Sequence, residues 1–493
     1  MESKQYVVAL EISSSKIVGV LGEPNANGGV EILDIEAERS LNCVRWGCIQ
    51  NVEETKMRVN RVISRLEERI SPKKITGVYV GIGGRSVHNH EMNVSTIYDE
   101  ERMITESVIE ALRDRYYSEA EVQGDILEVV PCQYFVDNNE IANPIGAYGT
   151  SIKVRFNGVV AKSTLKLNIN RALDSQYAIK GYIVTPLAMA EHVLSNEERQ
   201  LGCMLVDFGA ETVTVSIFRK GVLQYLATLP MGSQLITRDL TNLNVLEDAA
   251  EEIKKTSGNA IASDSGRGIL VDGVKSTDVQ NYVVARSEEI VANINEQISY
   301  SGLSRDQIGG GIVLVGGGSQ LNGFNRLVED KTKLKVRFGS IPANVMLHDR
   351  AARGIEYLEV ISILAQATSM MKIGDSCVQE PVKVEEPIVE EKVVEEKNET
   401  EEYAETDVEK PLTMPQRKPK KQDDEDDEVR RPRRKGGDNT AAEDDYEEND
   451  SKKRVSSFSS MFQNLKIKLT KVFEESDDAY DNYDEENKRP KNT

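Results

Sequence analysis

Across residues 5–374 the chain alternates short apolar runs with amphipathic blocks. The opening runs "QYVVALEI" and "KIVGVLGE" are separated by "SSS", and "GVEILDIEAE" follows the glycine-rich "NANGG". Apolar runs of this length between turn residues predict strands joined as hairpins. Over residues 52–70 the period changes. Val52, Val59, Val62, Ile63, Leu66 and Ile70 fall on one helical face, Asn51 is placed to cap it, and Glu53 and Glu54 occupy the first turn. "ITGVYVGIGG" predicts a further strand. Far downstream, "GCMLVDFGAETVTVSIFRKGVL" (202–223) repeats the opening pattern of strand, turn and strand. An acid precedes the turn in both copies, Glu11 and Asp207, about 195 residues apart. The echo fits a duplicated domain, and the pattern alone leaves two unrelated hairpins open.

From about residue 375 the alternation stops. Glu, Lys, Asp and Pro dominate residues 375–455, as in "VEEPIVEEKVVEEKNETEEYAE". Such a stretch buries too little apolar surface to offset chain entropy and is expected to be a disordered acidic linker. As a coil, its roughly 80 residues have an end-to-end distance of roughly 50 Å. Residues 456–473 then restore a helical period. Phe458, Met461, Phe462, Leu465, Leu469, Val472 and Phe473 share one face, and Lys466, Lys468 and Lys471 flank or oppose it. No acid occurs from Lys452 to Phe473, and Lys452, Lys453 and Arg454 precede the segment. Apolar side chains beside cations suit a helix lying in an anionic membrane surface. Docking in a partner's groove or on the chain's own folded part stays open. Residues 474–493 are a second acidic, disordered tail.

Charge and composition narrow the classes. The formal net charge of −21 argues against a general nucleic-acid binder. No apolar run reaches the length of a membrane-spanning helix. The charged start runs straight into a strand-like run and does not read as a signal peptide. Five cysteines with no C-x-x-C pair fit a reducing compartment and argue against zinc. His88, His90, His192 and His348 lack metal-ligand spacing and read as surface residues. Cys43 and Cys48 flank the sole tryptophan, Trp46, and read as packing.

Two hairpins with short, small-residue turns can hold a phosphate chain between them, with turn N–H groups facing the oxygens. An acid ending each first strand, Glu11 and Asp207, can hold Mg²⁺ through its waters. A third cluster, "GIVLVGGGSQLNG" (311–323), puts three glycines between a strand and a helix, where bare backbone suits a flat base or ribose.

In this order the three segments resemble the superfamily of actin, the heat-shock chaperones and the sugar kinases. "NPIGAYG", "IVTPLAMAE", "LPMGSQLITRDL", "AAEEIKKTSGNA" and "ARSEEI" are similar to stretches of the bacterial FtsA cell-division family. The resemblance covers nearly all of residues 5–374, and a linker ending in an amphipathic helix is also that family's plan. It implies an α/β, actin-like (ribonuclease H-like), duplicated two-lobed ATPase fold with an inserted subdomain. Lobe 1 would take residues 1–83, 169–198 and 350–374, and the insertion 84–168. The core of lobe 2 would take 199–230 and 305–349, and its upper, FtsZ-binding part 231–304. By the same resemblance Glu11, Ser13, Ser14, Ser15 and Lys16 form a first phosphate loop, Asp207, Gly209 and Thr212 belong to a second, and Gly232 also binds the nucleotide. Gly316, Gly317 and Gly318 would face the adenosine of ATP, and Glu251 and Lys254 would reach ribose and base. The implied partners are FtsZ, further copies of the chain, later division proteins and anionic inner-membrane lipids. The implied place is the cytoplasmic face of the bacterial membrane at the division site.

The chain departs from the family pattern in both loops. Where the family's first loop usually reads Asp-Ile-Gly-Thr-Ser-Lys, this one has Glu11-Ile12-Ser13-Ser14-Ser15-Lys16, and Ser13 would be strained if its position needs a positive φ. Ala210 and Glu211 replace the usual glycines of the second loop, and Glu211 brings a negative charge toward the phosphates. Gly232-Ser233-Gln234 stands for the usual "GGD". Because small positioning errors slow chemistry, the expectation is a nucleotide-responsive binder and at most a weak ATPase. A sugar kinase would need a general-base carboxylate facing a substrate pocket, and none is identifiable. A chaperone would need a strand-rich substrate domain, which the tail lacks. A pilus-assembly relative of the family would not be expected to carry a basic amphipathic end.

Overall fold

The computed structural model describes residues 4–173, 176–261, 273–347, 355–372 and 374–380. The acidic stretch beyond 380, the 456–473 segment with the residues expected to meet the membrane, the tail and His348 lie outside the described residues.

The strands Val7–Ile12 and Lys16–Pro24 pair antiparallel, with Val7 opposite Gly22 and Ile12 opposite Ile17, and Val30–Arg39 continues the meander. Gly77–Ile82 and then Ala178–Val184 lie parallel on the other flank of Val7–Ile12. Val345–Leu347 closes the far edge. Val7 to Leu10 are fully or almost fully buried, which is why the run is apolar at successive positions rather than at alternate ones. The Val52–Ile70 helix covers one face. Asn51 Oδ1 accepts the Glu54 N–H at 3.0 Å, and Val59, Val62, Ile63 and Leu66 are fully buried. The Leu358–Met370 helix also packs against Val7–Ile12.

The second lobe repeats the plan. Cys203–Phe208, Val213–Arg219 and Val222–Leu229 form an antiparallel meander, and Ile312–Val315 and then Val336–Phe338 lie parallel on the other flank. Both acids therefore stand on the central strand of a five-strand unit of the same order. The echo in the sequence is a duplication, not two unrelated hairpins.

Between the lobes in sequence, Asn139–Ile141, Asp125–Val136, Tyr148–Ala161 and His88–Met103 extend the sheet of the second lobe, joined to it where His88 lies opposite Ala227, with the Glu106–Glu119 helix packed on them. Val94, Ile104, Leu112, Tyr116, Ile152 and Phe156 give this part a core of its own. The helix that follows, Ser163–Leu173, instead buries Leu165, Ile169, Ala172 and Leu173 in the core of the first lobe. The insertion thus ends near residue 161, earlier than the expected 168. The folded part also runs past 374. Cys377 donates its N–H to Tyr6 O at 2.8 Å, and Val378–Gln379 pairs with Lys74–Ile75. Composition hid this extension, because only Cys377 and Val378 carry it before the acidic run begins. No helix among the described residues is long and apolar enough to cross a membrane.

Candidate functional site

The first loop closes on itself. Ser13 donates both its N–H (3.1 Å) and its Oγ (2.8 Å) to Lys16 O, and Ser40 clasps the turn through Ser40 N to Ser15 O and Ser40 Oγ to Ser13 O at 2.6 Å. None of Ser13, Ser14 and Ser15 has a positive φ, so serine fits where the family has glycine without backbone strain. Lys16 reaches across to the start of the C-terminal helix of the first lobe. Its Nζ donates to Glu356 O at 2.9 Å and lies 4.2 Å from the centre of the Tyr357 ring.

The second loop is braced from behind. Gly209 N bonds Thr212 O at 2.9 Å, Ser233 N bonds Gly209 O, and Gln234 N bonds Ala210 O at 2.8 Å. A Cβ on Gly232 would lie 2.3 Å from Ala210 O, so only glycine lets this segment approach the loop. Gly232 therefore supports the loop's backbone. The charge of Glu211 is compensated: its carboxylate, 3% exposed, pairs with Arg45 at 2.7 Å and Arg238 at 3.1 Å.

The third cluster sits directly on the second. Gly316 has φ 81°, and a Cβ there would lie 2.4 Å from Asp207 Oδ1 and 2.6 Å from Phe208 O. Gly318 lies equally close to Phe208, whereas nothing lies within 4 Å of where a Cβ on Gly317 would be. One glycine pair thus seats the loop on the sheet, and the middle glycine faces open space, a cradle for a flat group. Glu251 and Lys254, on the helix Glu247–Ser257, form a bridge toward the helix Gln234–Leu240. Lys254 is 7% exposed and donates to Glu251 (2.7 Å), Thr237 Oγ1 (3.0 Å) and Ser233 O (3.3 Å), while Thr237 donates to Glu251. They hold the segment that braces the second loop.

Three carboxylates converge where the two lobes meet. Burial pushes the Glu11 carboxyl up, against the pull of Lys16, the Ser13 hydroxyl and the Val360 N–H. Burial and the neighbouring Glu11 push Asp207 up to about 7. Glu359 is raised well above the ordinary range by burial, Glu11 and Asp207, and lies within hydrogen-bonding reach of Glu11. Glu11 Oε2 is buried without a protein partner. Asp207 nevertheless keeps part of its surface open to solvent. No three acids, histidines or cysteines among the described residues are arranged to hold a metal directly. The set fits a hydrated cation, which keeps its own waters and needs negative charge near it rather than a closed cage. Glu11 and Asp207 could hold such a Mg²⁺, with Gly316 to Gly318 beside them for a base or ribose.

Sequence reasoning missed Glu359, Ser40 and the two arginines that meet Glu211. Glu359 left a signal, a lone charge in the otherwise apolar "YLEVISILA". The arginines left none, because their partner lies on distant segments. Of the histidines, His88 is exposed, His90 is half-buried against the Tyr116 hydroxyl at 2.9 Å, and His192 is half-buried against Gln366 at 3.2 Å.

Comparison with known proteins agrees with this architecture. A family model described as "Cell division protein FtsA" matches residues 204–362, and one described as "SHS2 domain inserted in FTSA" matches residues 84–160. The FtsA protein of Porphyromonas gingivalis is 30% identical over 377 residues, 73% of this chain and 78% of that protein. That of Escherichia coli is 25% identical, covering 69% of this chain and 85% of the relative. Among solved structures, a "PilM-PilN type IV pilus biogenesis complex" chain aligns with a TM-score of 0.53 at 16% identity, over 74% of this chain and 98% of its own, and so shares the fold. Two lobes of one strand order, an insertion of its own core matched as that family's inserted domain, and a relative similar along most of both chains lead to one conclusion: the chain is a member of the FtsA family of cell division proteins, with an actin-like fold.

Proposed function

We propose that the cleft between the lobes binds ATP with Mg²⁺, and that nucleotide-dependent assembly lets the chain anchor FtsZ filaments at the inner face of the cytoplasmic membrane and recruit later division proteins. The observation that carries the nucleotide reading is the convergence of three loops. Glu11 and Asp207 crowd each other from opposite lobes, and Gly316 rests on Asp207 at a distance no other residue would allow. Bound there, Mg²⁺ would neutralise charge that these carboxylates and a triphosphate would otherwise hold against each other. The chain's own residues supply the rest: turn N–H groups of both hairpins for the phosphates, and Gly317 for the base or ribose. The departures of both loops from the family pattern favour a binder that is at most a weak ATPase.

The membrane part rests on the sequence of residues 456–473. Each lysine near an anionic leaflet contributes about 1 kcal/mol, and each buried apolar side chain about 1–2 kcal/mol. Ordering a short helix that is unstable in water opposes this. The result is a modest, reversible anchor, which a row of assembled subunits strengthens through effective concentration. The test is sedimentation with anionic liposomes, using the intact chain and a version lacking residues 456–473, with and without ATP and FtsZ. The intact chain with ATP should pellet and carry FtsZ with it, and the truncated chain should stay in solution. Equal pelleting of both would defeat the tether. Equal liposome binding by an assembly-dead monomer and by the assembled chain would defeat the coupling to assembly.

A further inference from the structure

The chain's sole tryptophan occupies a backbone position that suits it poorly. Trp46 and Gly47 link the two-residue strands Val44–Arg45 and Cys48–Ile49, with φ of 50° and 72°. A large side chain with positive φ is rare and persists only when its surroundings hold it. Here three separate segments do so. Trp46 N–H donates to Glu211 Oε2 at 2.8 Å, and Gly47 N–H donates to Ser14 Oγ at 2.8 Å. Arg85 N–H donates to Trp46 O at 3.0 Å. The indole lies between the Arg45 and Arg85 guanidinium groups, 5.0 Å and 4.9 Å from its centre. Gly47 also packs so closely on Gly84 that a Cβ would lie 2.5 Å from Gly84 Cα.

This turn touches the first loop through Ser14, the second through Glu211, and residues 84 and 85, where the inserted domain begins. Glu211 is the member that joins the lobes. It belongs to the second, and Arg45 and Trp46 belong to the first. Arg238 secures it from its own side. Deep burial makes such a carboxylate costly to leave with fewer partners, so it resists separation of the two segments. Gly47 N–H is fixed with Trp46 and in turn fixes the hydroxyl of Ser14. A residue that replaces a glycine of the second loop thus governs the geometry of the first.

We propose that Glu211 is a positioning residue of the nucleotide cleft: by clasping the Trp46–Gly47 turn it holds Ser14 in place across the lobes and sets how fast nucleotide leaves. The proposal deepens the ATP-binding reading and rests on it for the nucleotide. The clasp itself does not.

Trp46 being the only tryptophan, its fluorescence reads the clasp without any ligand. In the full chain free of nucleotide, Glu211→Gln should red-shift the Trp46 emission and raise its quenching by acrylamide. Arg238→Gln, at a guanidinium already 40% exposed, should do the same to a smaller degree while the fold is kept. Release of a fluorescent ATP analogue from Glu211→Gln should be about tenfold faster, as expected when one partner of a buried charge cluster is removed. Glu211→Asp should recover part of the difference. The release effects of Glu211→Gln and Ser14→Ala should fall short of additive, because one acts through the other; loosening with no link to Ser14 would give additive effects. Unchanged Trp46 quenching in both Glu211→Gln and Arg238→Gln overturns the clasp. Changed quenching with unchanged release, or with additive effects, overturns the positioning role. Changed quenching with no analogue bound by the unaltered chain leaves the clasp standing and removes the ATP reading.

Discussion

The two hairpin loops follow one repeated plan, and each carries a polar side chain in its turn, Ser13 in the first and Glu211 in the second, but they accommodate it differently. In the first loop Ser13 turns its own hydroxyl back to Lys16 O, three residues on, and the backbone never enters the left-handed region. In the second, Glu211 finds no local partner. It is satisfied by Arg45 and Trp46 from the other lobe and by Arg238 from the following helix. A small polar replacement can be absorbed within a turn. A buried charge has to be answered by distant residues, and the answer then ties distant parts together.

Restoring the family's usual residue in each loop separates the two cases most widely. Glu211→Gly should lower stability by about 3 kcal/mol, because it leaves Arg45 and Arg238 without their shared carboxylate. Their partial exposure keeps the loss at the low end of that range. Urea unfolding of the full chain measures it, and a loss below 1 kcal/mol would mean that water replaces the clasp. Next in size is Gly232→Ala. The new Cβ would press on the Ala210 carbonyl from 2.3 Å, and about 2 kcal/mol should be lost as the brace withdraws. Nucleotide affinity should fall with it, since the same contact shapes the loop.

The same contrast explains what was legible beforehand. The strands and the Val52–Ile70 helix with its Asn51 cap are written in short-range periodicity; the duplication was only hinted at by the two hairpins, and the three loops were assigned through the family resemblance. Ser40, Arg45 and Arg238 were out of reach for a different reason. Their roles exist only once segments tens to hundreds of residues apart meet, and none carries a local motif. The boundary near 161 was misplaced because the Ser163–Leu173 helix is amphipathic in either assignment. Only its contacts show which core receives Leu165 and Ile169.

A smaller effect tests the self-contained loop. Ser13→Gly removes the hydroxyl bond to Lys16 O, worth about 1 kcal/mol, and leaves the Ser13 N–H bond to the same oxygen in place. Stability should fall by that amount or less, and Trp46 fluorescence should not change, since nothing in the substitution touches Glu211. A shift of Trp46 emission as large as that of Glu211→Gly would mean that the change at Ser13 is not absorbed within its own turn but is passed through Ser14 to the Trp46–Gly47 turn, and the contrast between the two replacements would fail.

The smallest expected effect lies away from both loops and serves to separate their contributions from the rest of the lobe. Burial lowers the pKa of His192 from its ordinary 6.5, outweighing the Gln366 bond and the charge of Glu191, with Arg199 adding to the lowering. The unfolded chain therefore takes up a proton near pH 6.5, while the folded chain resists until the pH is lower. Stability from this group is present above that value and declines as the pH falls through it. His192→Gln should flatten the dependence of melting temperature on pH between about 5 and 7. The slope that His192 contributes should be the same in Ser13→Gly and Glu211→Gly, because neither loop contacts the Thr185–Val193 helix face that meets Gln366. If Glu211→Gly alone removed it, opening the clasp would be loosening the core of the first lobe, and the clasp would reach further than the turn it holds.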